Sequence, residues 1–528
     1  MLTRREFLAA GTAVTALAAT PSCSPAQTQR RQQTERDPIP PTSPNPVGAR
    51  PPDNLGGSTV NVGSNPGDLQ TAINTALNPD GTHKGNTYIC PPGVTYRPLT
   101  LPAAKGTGWT CIRSGSTNLP PAGTRVQPSH AAAMFRIVSS GAINDARCII
   151  MPSATAGWRF IGMELANPND NFTYAMVEVV RSSRISFERC YMHARPGQFM
   201  RRALYFLLSD DLQVWDSYIS ECKEGPPTDS DTQTIFTRGG SRIHIENCEL
   251  QAAGENVMFG DQGSSLPTND ITFKRNHCYK PLAWRGVIKN VKNLFEIKFA
   301  WRTLAEGNIF ENNWLPTQPG EAIVLNNSWQ AEGFYCDTRD LMFRHNTIIN
   351  SPALLAIADQ NNGVGGPIRC AFLNNLGLQI PNRGLKFLHR CNDIWIEHNT
   401  IVPLDASSGV SPFAAVLLAP DAPGKMPNFT FRHNIIGGST YGMFCNGGSD
   451  TATYDHWLPD RMFQTNAIVG LSGQPSLMGV QYLASPSVAG LDVVTGRLSP
   501  RSPLIHAGSD GKDLGVDFVQ LATAQTGM

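Results

Sequence analysis

Between residues 184 and 436 the chain repeats itself. Cys190, Ser217, Cys248, Asn276, Asn308, Asn346, Asn374, Asn399 and Asn434 follow one another at intervals of 27, 31, 28, 32, 38, 28, 25 and 35 residues. An apolar residue lies three positions before each, from Phe187 to Phe431, and another two positions after, from Met192 to Ile436. Self-similarity at such a period marks a solenoid. Units such as DITFKRNHC, DLMFRHNTI, DIWIEHNTI and NFTFRHNII are β runs interrupted by a polar residue, with no helical periodicity. An interval of 25–38 residues holds three strands and three turns. The expected fold class is therefore all-β, a right-handed parallel β-helix. The six asparagines should stack at one inward bend, because a buried amide is tolerated only when a neighbouring coil pairs it. Cys190, Ser217 and Cys248 are smaller residues on the same line.

The rest of the chain fits one domain over 58–528. NPGDLQTAINTAL (65–77) is amphipathic, with Leu69, Ile73 and Leu77 on one face, and is expected to cap the first coils (58–110). Regular coils span 184–445, and the turn-rich 461–528, with LSPRSPLIHAGSDGKDLGVD at 498–517, is expected to close the last coil. At the start, MLTRREFLAAGTAVTALAAT sets Arg4 and Arg5 before Phe7, Leu8 and a short apolar run. This is the pattern of a twin-arginine export signal over 1–23, too short and too rich in Ala and Thr to span a membrane. Cys23, in TPSC, is a candidate lipid anchor, although Thr20 and Pro21 depart from the usual lipobox. The Pro-, Gln- and Arg-rich 24–57 is expected to be a disordered tether. The expected location is the periplasm or cell surface, and the expected state a monomer.

The 43 basic and 42 acidic side chains give no argument for nucleic acid or an anionic membrane as partner. None of the twelve cysteines forms a C-x-x-C pair, so buried reduced thiols are expected rather than a zinc site. His345, His398 and His433 each precede a ladder asparagine and are expected to be structural turn residues.

Helix, ladder and closing tail together resemble the pectate-lyase-like superfamily. RCYMH (189–193), GENVMFG (254–260), RNHCYKPLAWR (275–285) and KNLFEIK…R…GNIFENNW (292–314) resemble one group of exported bacterial β-helix proteins of unestablished activity. The wider superfamily implies carbohydrate as the partner. Motifs of polygalacturonases (N-T-D, D-D, G-H-G) and of R-x-P-x-x-R pectate lyases are missing, and GENVMFGD has no strand Asp of the pectin methylesterase type. The nearest chemical likeness is to chondroitinase B and alginate lyases, in which a strand carries calcium-binding carboxylates and a Lys base. FEIKFA offers Glu296 and Lys298 for that role, but Phe299 replaces a Ser and no Arg-His follows on the next coil.

β-Elimination of a uronide requires neutralisation of the sugar carboxylate, a base at C5 and an acid at O4. Residues 229–306 supply candidates on consecutive coils. Lys298 is the candidate base, with His277, Lys280 and Arg302 as further catalytic candidates. Asp231, Glu255 and Glu296 are the candidate calcium ligands, and Trp284, Arg285 and Trp314 the candidate sugar contacts. Each has a structural alternative: a surface pair for Glu296 and Lys298, a turn cap for Glu255, a turn residue for His277, packing for the tryptophans. The expectation is an exported lyase acting on an acidic polysaccharide. The alternatives are a glycoside hydrolase on the same scaffold and a non-catalytic glycan-binding protein.

Overall fold

The computed structural model describes residues 37–528, apart from 140–146, 168–172, 196, 225–229, 262–265, 316, 318–319, 328–336, 360–366, 403–413, 420–423, 439, 447 and 475. The expected leader, Cys23 and the first part of the tether lie outside the described residues. Residues 37–528 form one body, built on three parallel sheets of 14, 12 and 14 strands. Sheet 1 runs from Thr59–Asn61 to Met462–Gln464, sheet 2 from Leu99–Thr100 to Tyr441–Cys445, and sheet 3 from Thr95–Tyr96 to Val480–Leu483. One coil shows the path: Thr268–Lys274 in sheet 1, His277–Tyr279 in sheet 3, Phe295–Ile297 in sheet 2, then Ala300–Glu306 back beside Thr268–Lys274. This is a right-handed parallel β-helix. The helix Asp68–Ile73 buries Leu69 and Ile73 against the first strands.

Inward side chains form continuous files, because the coils repeat in register. Phe273, Phe295 and Phe343 meet edge to face at the axis, with ring centroids 5.1–5.3 Å apart. Each such fully buried aromatic contributes about 1.5–3 kcal/mol. The ten cysteines among the described residues are all buried and unbridged.

The asparagine column runs Asn276, Asn308, Asn346, Asn375, Asn399, Asn434, Asn466. Each Nδ2 donates to the next Oδ1 at 2.9–3.2 Å. Each of these Oδ1 atoms also accepts a backbone N–H, as Asn346 Oδ1 does from Asn308 at 2.9 Å. The expected rung Asn374 is corrected to Asn375. Asn374 instead turns outward at φ 52°, in the place that His345, His398 and His433 take on other coils. It bonds His345 Nδ1 and the backbone of Asp517.

A second column stands six residues before the first: Arg184, Asp211, Arg242, Asp270, Arg302, Asp340, Arg369 and Asp393, all with φ between 53° and 60°. Within it, Arg242 pairs bidentately with Asp211, Arg302 with Asp270, and Arg369 with Asp340, at 2.6–2.9 Å. The part of the expected tether from 37 to 57 lies against this side. Thr42 N–H donates to Asp340 and Asn45 N–H to Asp270, Gln213 reaches Gly48 O, and Arg50 pairs with the buried Asp216 at 3.0 Å. The tether expectation fails there because these carboxylates bind the chain that composition alone marked as disordered.

The tail also departs from expectation. After Val480–Leu483 the chain turns back along the outside of the coils, packing Leu504 and Leu514 on Val402 and Ile435, and Val516 and Leu521 on Leu376. Gly515 N–H donates to His433 O at 2.8 Å.

Candidate functional site

At the corner where the chain enters sheet 2, register places Arg202, Gln233, Glu255 and Asn293 on successive coils. Sheet neighbours sit about 4.8 Å apart, so polar side chains here meet. Arg202 Nε donates to Gln233 Oε1 at 2.9 Å, and Gln233 Nε2 to Glu255 Oε2 at 2.6 Å. Glu296, on the outward face between the inward Phe295 and Ile297, comes within hydrogen-bonding reach of Glu255. Asn293 Nδ2 donates to its Oε2 at 3.1 Å, and Asn326 Nδ2 stands 3.4 Å from Oε1.

Two lysines close the cluster. Lys292 Nζ lies 2.5 Å from Asp231 Oδ2 and 3.4 Å from Glu255 Oε1. Lys298 Nζ lies 3.9 Å from Glu296 Oε1. Lys298 stands just past the strand, its N–H donating to Phe259 O, where the chain brushes Gly260. A Cβ at Gly260 would come within 2.5 Å of the Phe299 backbone, and its φ is 82°, so only glycine fits. Asp231 and the lysines are half-buried, while Glu255 and Glu296 are buried beneath them.

The carboxyls separate electrostatically. Burial, together with the neighbouring Glu255 carboxylate, pushes Glu296 up to about 7 against the pull of Lys298. Burial also acts to raise Asp231, but the Lys292 ammonium and the Asn290 amide hold it below the usual carboxylate range. Glu255 Oε1 has no hydrogen-bond donor among the described residues, and a proton on Glu296 would supply one. Lys298 is raised: burial opposes its charge, but Glu296 and Glu255 overcome that.

Asp231, Glu255, Glu296 and Lys298, all sequence candidates, are thus brought together. The others are not. Arg302 belongs to the Arg–Asp column on sheet 1. His277 lies on sheet 3 between Glu249 (2.9 Å) and Glu311 (3.1 Å); these carboxylates overcome burial and raise it to about 9. Lys280 is fully buried, its Nζ donating to the carbonyls of Ala252, Ala253 and Gly254 and to Asn256 Oδ1. Burial lowers it to about 7, and its role is to hold the turn that delivers Glu255. Trp284 and Trp314 are buried and pack with Ala253, Ile288 and Val291, whereas Arg285 is exposed. Lys292 was not among the candidates, although it sits four residues before Glu296 in the same KNLFEIK run.

The carboxylates do not suit calcium. The Lys292 ammonium stands between Asp231 and Glu255, where a shared cation would sit. What the cluster can do is move protons: a buried acid, an ionised carboxylate and two ammonium groups within one patch.

No protein-family model matches the chain, and no curated protein is similar to it in sequence. Among solved structures, it is similar to the catalytic unit of a GH87 α-1,3-glucanase from Streptomyces thermodiastaticus, with 13% identity and TM-score 0.50 over 77% of this chain and 70% of that one. It is also similar to pectate lyase Pel9A, with 12% identity and TM-score 0.36 over 87% and 95%. A third is a polygalacturonase from Erwinia carotovora, with 10% identity and TM-score 0.31 over 78% and 96%. At 13% identity, what the chain shares with the glucanase is the fold alone.

Proposed function

We propose that the protein is a carbohydrate-active enzyme that cleaves glycosidic bonds at the Asp231–Glu255–Glu296 cluster by acid–base hydrolysis. One observation carries this reading: Glu296 is buried within reach of Glu255, while the more exposed Asp231 is held by the Lys292 ammonium, so burial and charge drive the two carboxyls in opposite directions, Glu296 up and Asp231 down. Such separation assigns an acid and a base. Glu296 donates its proton to the departing glycosidic oxygen, and Asp231, the more exposed carboxylate, takes a proton from the attacking water. Lys292 keeps Asp231 ionised, and Glu255 with Lys298 sets the proton affinity of Glu296. The glucanase that shares the fold gives polysaccharide as the substrate class.

Elimination on a uronide is the second reading, favoured by the two ammonium groups at the site. It asks for a neutral amine at Lys298, whereas its carboxylate neighbours raise it.

The test is incubation with a panel of neutral and uronate polysaccharides, following reducing ends and absorbance at 235 nm together. New reducing ends without absorbance support hydrolysis; equal absorbance gain means elimination and overturns the proposal. Export by the twin-arginine route belongs to the same reading. Arg4→Lys with Arg5→Lys should hold the protein in the cytoplasm, and loss of lipid labelling in Cys23→Ala would identify the anchor.

A further inference from the structure

Far from that cluster, four side chains converge where the returning tail crosses the coils. Glu397 and His398 precede the rung Asn399, His433 precedes Asn434, and Asp510 comes from the tail. One donor atom from each lies within 4.8 Å of all the others. His398 Nε2 is 3.0 Å from Asp510 Oδ2 and 3.9 Å from Glu397 Oε1, and His433 Nδ1 is 3.6 Å from the same Glu397 oxygen.

The outer bonds orient these atoms. His398 Nδ1 lies 3.0 Å from Gly515 O, and a carbonyl only accepts, so Nδ1 carries the proton there. In the neutral ring, Nε2 is then a lone pair aimed at two carboxylates. His433 Nε2 pairs with Ser509 Oγ at 2.9 Å. Its Nδ1, on a ring only 2% exposed, has no hydrogen-bond partner among the described residues. Glu397 Oε2 is bound by Trp395 at 2.5 Å and Arg432 at 2.7 Å, which leaves Oε1 for the centre. His398 Nε2 and His433 Nδ1 thus both face the carboxylate oxygens of Glu397 and Asp510. Metal-binding histidines characteristically carry a carbonyl or hydroxyl on the second ring nitrogen, as both do here.

We propose that Glu397, His398, His433 and Asp510 bind one divalent transition-metal ion of the zinc type, which clasps the returning tail to the coils. Two imidazole nitrogens with two carboxylate oxygens are a donor set that suits zinc and is too nitrogen-rich for calcium or magnesium. Tetrahedral bonds of about 2.0–2.1 Å set donors roughly 3.3 Å apart, so the separations of 3.6 and 3.9 Å must shorten and that of 3.0 Å lengthen slightly as the ion binds. Three ligands belong to adjacent coils and the fourth to the tail, so the ion would join Asp510 to coil residues 77 to 113 positions earlier in sequence.

The full chain, freed of metal by chelation and dialysis, is titrated with zinc. Bound metal is counted by atomic emission, and release of the tail is followed by limited proteolysis within 498–528. One zinc per chain is expected, with a higher melting temperature and cleavage of the tail slowed at least tenfold. Cobalt should give the visible absorption of a tetrahedral site. His398→Ala should abolish stoichiometric binding, and Asp510→Asn, at an exposed position that leaves the coils intact, should weaken it at least tenfold. Absence of stoichiometric zinc in the unmutated chain would overturn the proposal, since an imidazolium would then be closing the network. Binding undiminished in both variants would overturn it too.

Discussion

Glu296 Oε1 and Lys298 Nζ stand 3.9 Å apart, a charge contact too long to be a hydrogen bond. The ammonium therefore tunes the carboxyl without holding it, and the two residues should fail differently. Glu296→Gln is expected to lower turnover on a responsive polysaccharide by about 10²–10⁴-fold, the usual worth of a positioned acid. Lys298→Ala removes the charge that pulls Glu296 down. It should keep most activity and move the alkaline limb of the pH–rate profile upward. A Lys298→Ala enzyme as dead as Glu296→Gln would restore lysine as the proton carrier.

The same carboxyl makes a stability prediction. Glu296 is raised from 4.5 in the unfolded chain to about 7. Between those values the folded protein keeps a proton that the unfolded chain has lost. Its contribution is full below pH 4.5, falls as pH rises, and is gone above about 7. The melting temperature of Glu296→Gln, measured across this range, should lack that decline.

His277 has the same sign at higher pH. Raised to about 9 between Glu249 and Glu311, it stabilises the fold fully below its ordinary value of 6.5, and that stabilisation is lost as pH climbs through 9. Its imidazole resonances should still be those of the protonated ring at pH 8. Glu311→Gln should lower the midpoint.

The two asparagines at 374 and 375 should separate cleanly. Asn375→Leu strands amide groups of Asn346 and Asn399 in the core and should cost about 1–3 kcal/mol. Asn374→Leu leaves the column intact and frees only His345 and the tail at Asp517. The expected sign of that change is faster proteolysis of the tail, with the main unfolding transition little altered.

Much of this architecture is legible in the residues. Repeated asparagines with apolar neighbours at −3 and +2 can satisfy their amides only by stacking, and stacking at 25–38-residue intervals leaves room for three strands per coil. At 371–378 the rule is ambiguous: Ala371 and Leu376 serve Asn374 as well as Phe372 and Gly377 serve Asn375. The alternation of Arg and Asp six residues earlier would have decided it, because Arg369 stands six before 375. That column would also have removed Arg302 from the active-site candidates.

Carboxylates on adjacent coils near Glu296 could be anticipated because coil spacing is fixed by backbone hydrogen bonds. Tertiary structure alone decided which corner each side chain faced. Lys280 and Lys292 are both cations ahead of the same strand, yet one is swallowed by carbonyls and the other bridges Asp231 and Glu255. The turns between sheets vary in length and follow no period, so a side chain's position around the coil does not follow from its distance to the ladder. The arm at 37–57 and the tail beyond 490 were beyond sequence reasoning for a related reason. Their partners, Asp270 and Asp340 for the arm, His398 and His433 for the tail, lie 76 to 298 residues away, on surfaces that exist only once the coils have stacked.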